Sequence, residues 1–235
     1  MQAIILAGGR GTRLRPYTTI LPKPLMPLGD MPVIEVLIRQ LVRAGFDDIV
    51  LSVGYLGELL KAYLGDGTRM GGSVRFVREE EPLGTAGPIG LVSETESDFL
   101  LINGDTLTDL DYRGFLEQHR RSGAMATIGT SIRRSEVDYG VLECDERGRL
   151  VRYNEKPVHQ YRVSMGVNAF RSEVRAYLRP RVRHDLPDLM RELVADGQHV
   201  ACHEPNCFWL DIGRPADYEK ALEVFVERRA EFLGG

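Results

Sequence analysis

Through its first 130 residues the chain alternates short apolar runs with amphipathic ones, and this alternation narrows the fold more than any other feature. "QAIILA" (2–7), "DIVLSV" (48–53), "SVRFVRE" (73–79) and "DFLLINGD" (98–105) read as strands bounded by glycine or polar turns. Between the first two, Val33, Ile34, Leu37, Leu41 and Val42 recur at helical spacing, with Asp30 as the expected cap, Pro32 in the first turn and Gly45 at the end. "GELLKAYLGDG" and "YRGFLEQHRRSG" read as further helices, and "MATIGTSI" as the next strand. Strand and helix in alternation imply a mainly parallel sheet with helices on both faces.

The second half reads differently. "GVLECDERGRLVRYNE" is two alternating runs about a "DERG" turn, the pattern of a hairpin. "YRVSMGVNAF" is a strand, "LPDLMRELVADG" a helix, and a last helix is expected from Pro215 to about Phe232. No linker, repeat or low-complexity segment interrupts the 235 residues. The expectation is one α/β domain over 1–235, Rossmann-like and mixed, with an antiparallel insertion in its second half.

The net charge of -4 argues against nucleic acid or an anionic membrane as the main partner. No apolar run approaches the roughly 20 residues of a membrane span. The start, "MQAIILAGG", lacks the basic and long apolar regions of a signal peptide. Three cysteines, an odd number, point to a reducing compartment, so a cytoplasmic location is expected. "HVACHEPNC" has the composition of a zinc site, but its spacing fits none of the usual zinc patterns.

The chemistry starts at "GGRGTR", Gly8 to Arg13, directly after the first strand. The carboxyl edge of an open α/β sheet is where ligands bind. Glycines there let backbone N–H groups turn toward a polyphosphate, and Arg13 and Arg15 add charge. The Walker pattern is absent, and the dinucleotide fingerprint fails because Leu14 stands where its third glycine belongs. Asp105 and Asp211 each follow a strand, and two carboxylates at strand ends can hold one hard cation.

"LAGGRGTRLRPYT" followed by "LPKPLMPLGDMPVIE", then "EPLGTAGP", "LINGD", "NEKP", "SMGVNAF" and "WLDIGRP", resembles the sugar-1-phosphate nucleotidylyltransferases over nearly the whole chain. The resemblance implies an NTP and a sugar 1-phosphate as substrates, an NDP-sugar and pyrophosphate as products, and Mg²⁺ held by Asp105 and Asp211. It implies catalytic roles for Arg13 and Lys23. Nucleotide contacts are implied for Leu6, Ala7, Gly8, Gly9, Gly11, Thr12, Arg13, Gly84 and Thr85. It places the nucleotide in about 1–130 and the sugar phosphate in about 131–235, through Gly140, Glu155 and Lys156. Pro157 biases Lys156 toward an extended backbone. Where many relatives read Asn-Ala-Gly, this chain has Ser164–Met165–Gly166, and Asn168 is the expected replacement contact.

"EPLGTAGP" is most like the mannose- and heptose-1-phosphate guanylyltransferases. The chain ends just past its last expected helix, without the hexapeptide β-helix of some members, which also favours the short enzymes of that kind. Guanine offers two adjacent donors that one carboxylate can accept, and of Glu79, Glu80 and Glu81 before this loop, Glu80 is the expected reader. A thymidylyl- or uridylyltransferase, or a non-catalytic nucleotide-sugar sensor, is the alternative. A homodimer is compatible with the resemblance.

Overall fold

The structure, a computed structural model, describes residues 1–234. Strand β1 (Gln2–Ala7) leads through a hairpin of β2 (Pro27–Leu28) and β3 (Met31–Pro32) into helix α1 (Val33–Arg43). There follow β4 (Asp48–Val53), α2 (Gly57–Leu64), β5 (Val74–Arg78), β6 (Asp98–Asn103), β7 (Thr106–Thr108) and α3 (Tyr112–Ser122). The second half supplies β8 (Ala126–Glu136), β9 (Val141–Cys144), β10 (Leu150–Asn154) and β11 (Val158–Arg171). It closes with α4 (Leu186–Ala195), β12 (Val200–His203), β13 (Trp209–Asp211), α5 (Pro215–Glu227) and α6 (Arg229–Leu233).

Seven strands form the main sheet in the order β12-β8-β11-β6-β1-β4-β5. All run the same way except β11, which pairs antiparallel with both neighbours. One face carries Ile5, Leu51 and Ile102 beneath α1, α2 and α3, through residues such as Leu37, Leu60 and Phe115. The other carries Ile4, Val50 and Leu101 beneath α4, through Leu189 and Leu193. Each such aliphatic side chain contributes about 1.5–3 kcal/mol on full burial. A third cluster, with Leu28, Val33, Phe225 and Phe232, fastens α5 and α6 against α1.

Beyond the sheet, β8 and β11 continue as a two-stranded arm, paired to Glu136 and Val158, that carries the β9–β10 hairpin. The side chain of Asp145 makes the hairpin turn by accepting the N–H groups of Arg147 and Arg149, each at 2.9 Å.

Four local expectations change. Asp30 does not cap α1, because β3 intervenes and Pro32 holds the cap position. The Asp30 carboxylate instead binds the guanidinium of Arg229, 3.0 Å from Nη2. The last helix breaks at Arg228, whose guanidinium reaches Asp109 at 2.6 Å and lies over the Phe208 ring. Lys156 is not extended: its φ is 44°, a left-handed conformation costing about 1–2 kcal/mol. Its ammonium meets Asp138 at 2.7 Å, and Val137 N–H reaches Pro157 O at 3.1 Å, so the two ends of the hairpin segment are tied there.

The fourth concerns Asn168. It sits in β11 between Leu101 and Ile128, only 2% exposed, on the face shared with Phe170. Its Nδ2 has no hydrogen-bond partner among the described residues. A group this deep does not meet a ligand in an outer cleft, and the sugar contact expected of it is withdrawn. An unpaired buried amide costs about 1–3 kcal/mol. Asn168→Val therefore raises the melting temperature by roughly 2–4 °C or more. Thermal unfolding of the variant beside the parent checks this, and a fall in melting temperature contradicts it.

Candidate active site

Register places the site. Leu6 of β1 lies beside Ser52 of β4 and Asn103 of β6, so these three side chains share the last row of one sheet face. Directly past that row lies a cleft of about 380 Å³. Leu6, Ala7, Gly8, Gly9, Gly11 and Thr12 form one wall with Arg13. Lys23, Pro24 and Asp105 form a second, and Glu79, Pro82, Gly84 and Thr85 a third.

The glycine loop has the form a phosphate cradle requires. The N–H groups of Gly9, Gly11, Thr12 and Arg13 have no acceptor among the described residues. Gly11 has φ 59°, and a Cβ on it would stand 2.9 Å from the Thr18 methyl. The Thr18 hydroxyl fixes the turn by donating to Gly11 O at 2.8 Å. Successive unpaired N–H groups around such a turn favour an anion.

Lys23 opens a single 3-10 turn, Lys23–Leu25, between Pro22 and Pro24. Its ammonium contacts Asp105, and both side chains are mostly buried. An ammonium has three donors, so two remain beyond this contact. Asp105 follows the end of β6, and Ile212 N–H reaches its carbonyl at 3.2 Å, which brings β13 and Asp211 alongside. Burial and the neighbouring Asp105 carboxylate push the Asp211 carboxyl above its usual range, against the pull of Lys23 and Arg13. Two adjacent carboxylates that repel each other in this way suit a hard divalent cation. No third His, Cys, Asp or Glu joins them among the described residues, so phosphate oxygens and water would complete the coordination.

At the third wall the glutamate is Glu79, not Glu80. Glu79 accepts the Ser52 hydroxyl at 2.7 Å and Leu83 N–H at 3.0 Å. Glu80 and Glu81 line other cavities outside this wall. Strand parity explains the choice: Ser52 pairs laterally with Val77, and Glu79, two residues on, keeps to the same face. Asn103 was also missed; its amide lies against Gly166, where a Cβ would come within 2.4 Å of it. Gly140, Glu155 and Lys156 lie on the arm and do not line the cleft.

The model of the family described as Nucleotidyl transferase matches residues 2–227. The chain is 34% identical over 248 residues to a UTP–glucose-1-phosphate uridylyltransferase of Synechocystis, covering 97% of this chain and 64% of that relative. It is 35% identical over 240 residues to the mannose-1-phosphate guanylyltransferase catalytic subunit beta of Danio rerio, covering 97% and 65%. It thus spans somewhat less than two thirds of the length of these curated relatives. HddC from Yersinia pseudotuberculosis is similar in structure, with TM-score 0.74 and 28% identity over 95% of this chain and 99% of that one. The same protein complexed with GMP-PN gives 0.72, with 27% identity and the same coverage of both chains. No helix among the described residues is long and apolar enough to cross a membrane. The matched family and the strand-end cleft agree, and this chain belongs to the nucleotidyl transferase family.

Proposed function

We propose that the chain transfers a nucleotidyl group from an NTP to a sugar 1-phosphate, releasing pyrophosphate. The observation that carries this reading is the meeting of unpaired loop N–H groups, Arg13, Lys23 and Asp105 around one cleft, with Asp211 just behind its lining, where it feels the charges of Asp105, Lys23 and Arg13. A phosphate oxygen of the sugar attacks the α-phosphorus. The bond to the bridging oxygen breaks, and pyrophosphate leaves with the electron pair. The nucleophile arrives ionised, so no general base is needed. Catalysis is then positioning and charge stabilisation.

The loop N–H groups and Arg13 hold the triphosphate. Lys23, kept in place by Asp105, turns its remaining donors toward the phosphates at the reacting centre. Asp105 and Asp211 would hold Mg²⁺, which neutralises phosphate charge when bound. The sugar phosphate enters from the second half, near Gly140, Glu155 and Lys156, and the hairpin bearing them must approach the cleft for them to touch it. Such an enzyme works where NTPs are made, in keeping with the cytoplasmic expectation.

For the base, Glu79 supports GTP. With Ser52 and Leu83 each taking one lone pair, each carboxylate oxygen keeps another for guanine N1–H and the 2-amino group. Uracil and thymine offer one donor between two carbonyls, which such a carboxylate repels. The HddC complex with GMP-PN and the mannose-1-phosphate guanylyltransferase relative support this reading and a mannose-type sugar, while a heptose-type sugar rests on the resemblance of "EPLGTAGP" alone. The Synechocystis uridylyltransferase, at nearly equal identity, is the reason to keep UTP and glucose 1-phosphate as the second reading.

Pyrophosphate release across four NTPs and a panel of sugar 1-phosphates tests the reaction. GTP is expected to exceed UTP and dTTP in kcat/KM by about tenfold or more, as one bidentate base contact supplies. A preference for UTP or dTTP overturns the assignment to guanine. Glu79→Gln narrows the preference while Glu80→Gln leaves it, and the reverse result shows that Glu80 reads the base.

Asp105→Asn and Asp211→Asn each lower turnover by about 100-fold or more. Asp211→Asn does so without loss of melting temperature, because it removes a charge that burial and Asp105 disfavour. Near-parental turnover of either variant at limiting Mg²⁺ contradicts a shared cation site.

A further inference from the structure

The loop that carries Gly84 and Thr85 is held in place by a segment a hundred residues away. His184 N–H donates to Leu83 O at 2.9 Å. His184 O accepts the N–H groups of Ala86 and Gly87, at 2.9 and 3.0 Å. Two side-chain bonds then cross in opposite directions. Asp185 Oδ1 accepts Thr85 N–H at 3.2 Å, and Thr85 Oγ1 accepts Leu186 N–H at 2.7 Å.

The exchange is unusual for a helix start. Asp185 occupies the N-cap position of α4, yet its side chain makes no cap bond to its own helix. The cap of α4 is lent by Thr85, and Asp185 satisfies the loop instead. The fit is close enough to dictate the sequence of the loop. Gly84 has φ 78°, and a Cβ there would lie 2.5 Å from Asp185 Oδ1 and 2.6 Å from His184 O. Thr85 N–H and Oγ1 thus both serve the clamp. The N–H of Gly84 has no partner among the described residues.

We infer that Asp185 is a positioning residue for the nucleotide: its carboxylate fixes the pose of Gly84–Thr85 against the cleft before the NTP arrives. This deepens the proposed function and rests on it. Ordering a loop in advance removes that entropic cost from binding, so the effect falls on nucleotide affinity rather than on the chemical step. The ligand class is a nucleoside triphosphate, and the sugar 1-phosphate side is untouched.

The test is calorimetric binding of GTP and of UTP to the whole chain, beside steady-state kinetics, for Asp185→Ala, Asp185→Asn and Arg183→Ala. Asp185→Ala weakens the tighter-binding NTP about tenfold, the scale of one lost hydrogen bond to a charged group. Its kcat and its KM for sugar 1-phosphate stay within about threefold. Asn keeps the acceptor oxygen, so Asp185→Asn stays within about threefold of the parent in NTP affinity. Arg183, whose guanidinium is 3.0 Å from Asp185 Oδ2, is expected to be silent, which separates the clamp from the exposed ion pair.

Unchanged NTP affinity in Asp185→Ala overturns the proposal. So does an equal loss for both substrates with a lowered melting temperature, the mark of a merely structural role. An Asp185→Asn variant as weak as Asp185→Ala overturns it too, by showing that charge and not the acceptor matters. A parent chain that binds neither GTP nor UTP removes the nucleotide and the proposal with it. A parent that binds NTP but releases no pyrophosphate refutes the proposed reaction alone, and the binding comparison still decides for Asp185.

Discussion

The parallel register of β1 between β4 and β6 fixes where the glycine loop, Glu79 and Asp105 stand. Leu6, Ser52 and Asn103 share a row, and just past it the chain leaves each strand through glycine: Gly8, Gly54 and Gly104. The strand ends are stitched together there. Gly104 N–H reaches Leu6 O at 2.9 Å, and Tyr55 N–H reaches Gly8 O at 3.4 Å. A slip of one residue in β4 would turn Ser52 to the opposite face and break its bond to Glu79. The glycine loop, the carboxylate just past β6 and the Glu79 carboxylate thus depend on one pairing, held by side chains buried on both faces.

Charge follows from that placement. Arg13 and Lys23 stand against Asp105 and Asp211, and Glu79 adds a third carboxylate on another wall, so the cleft by itself holds no excess of positive charge. The pairing is uneven: Lys23 sits on Asp105, and burial with the Asp105 charge pushes Asp211 up further than Lys23 and Arg13 pull it down. In the proposed reaction a triphosphate adds several negative charges to such a site. A divalent cation and the nucleotide then each favour the other's binding, since either alone leaves a larger charge imbalance in a partly buried place.

What was legible in the sequence was local. Buried strands announce themselves as apolar runs, and Asp105 and Asp211 were expected at the ends of two such runs, where the structure places them, just past β6 and at the end of β13. The glycine loop was found the same way, at the end of β1. Glu79 was within reach of parity counting from Val77, but three consecutive glutamates obscure which one faces inward. Asn168 looked like a ligand because an Asn was expected nearby, whereas pairing with two apolar strands buries it. Lys156 departed from the bias of its following proline because tertiary bonds to Asp138 and across Val137–Pro157 outweigh a local preference. Asp185 carried no sequence signal: it reads as an ordinary helix cap, and only the fold brings Thr85 to it.

That last contact also qualifies the division of the chain into a nucleotide half and a sugar half. β8, β11 and β12 come from the second half yet lie in the same sheet as β1. The Gly84–Thr85 loop is bonded along its length to residues 184–186, at the start of α4. Leu189 and Leu193, one and two turns further on, are buried against the sheet face that leads to the cleft. A clamp built on an exposed loop would move with it; this one is anchored by a helix packed into the core. The apolar burial of α4 therefore sets the position of a polar loop, and it links the folding of the second half to the shape of the cleft that the first half opens.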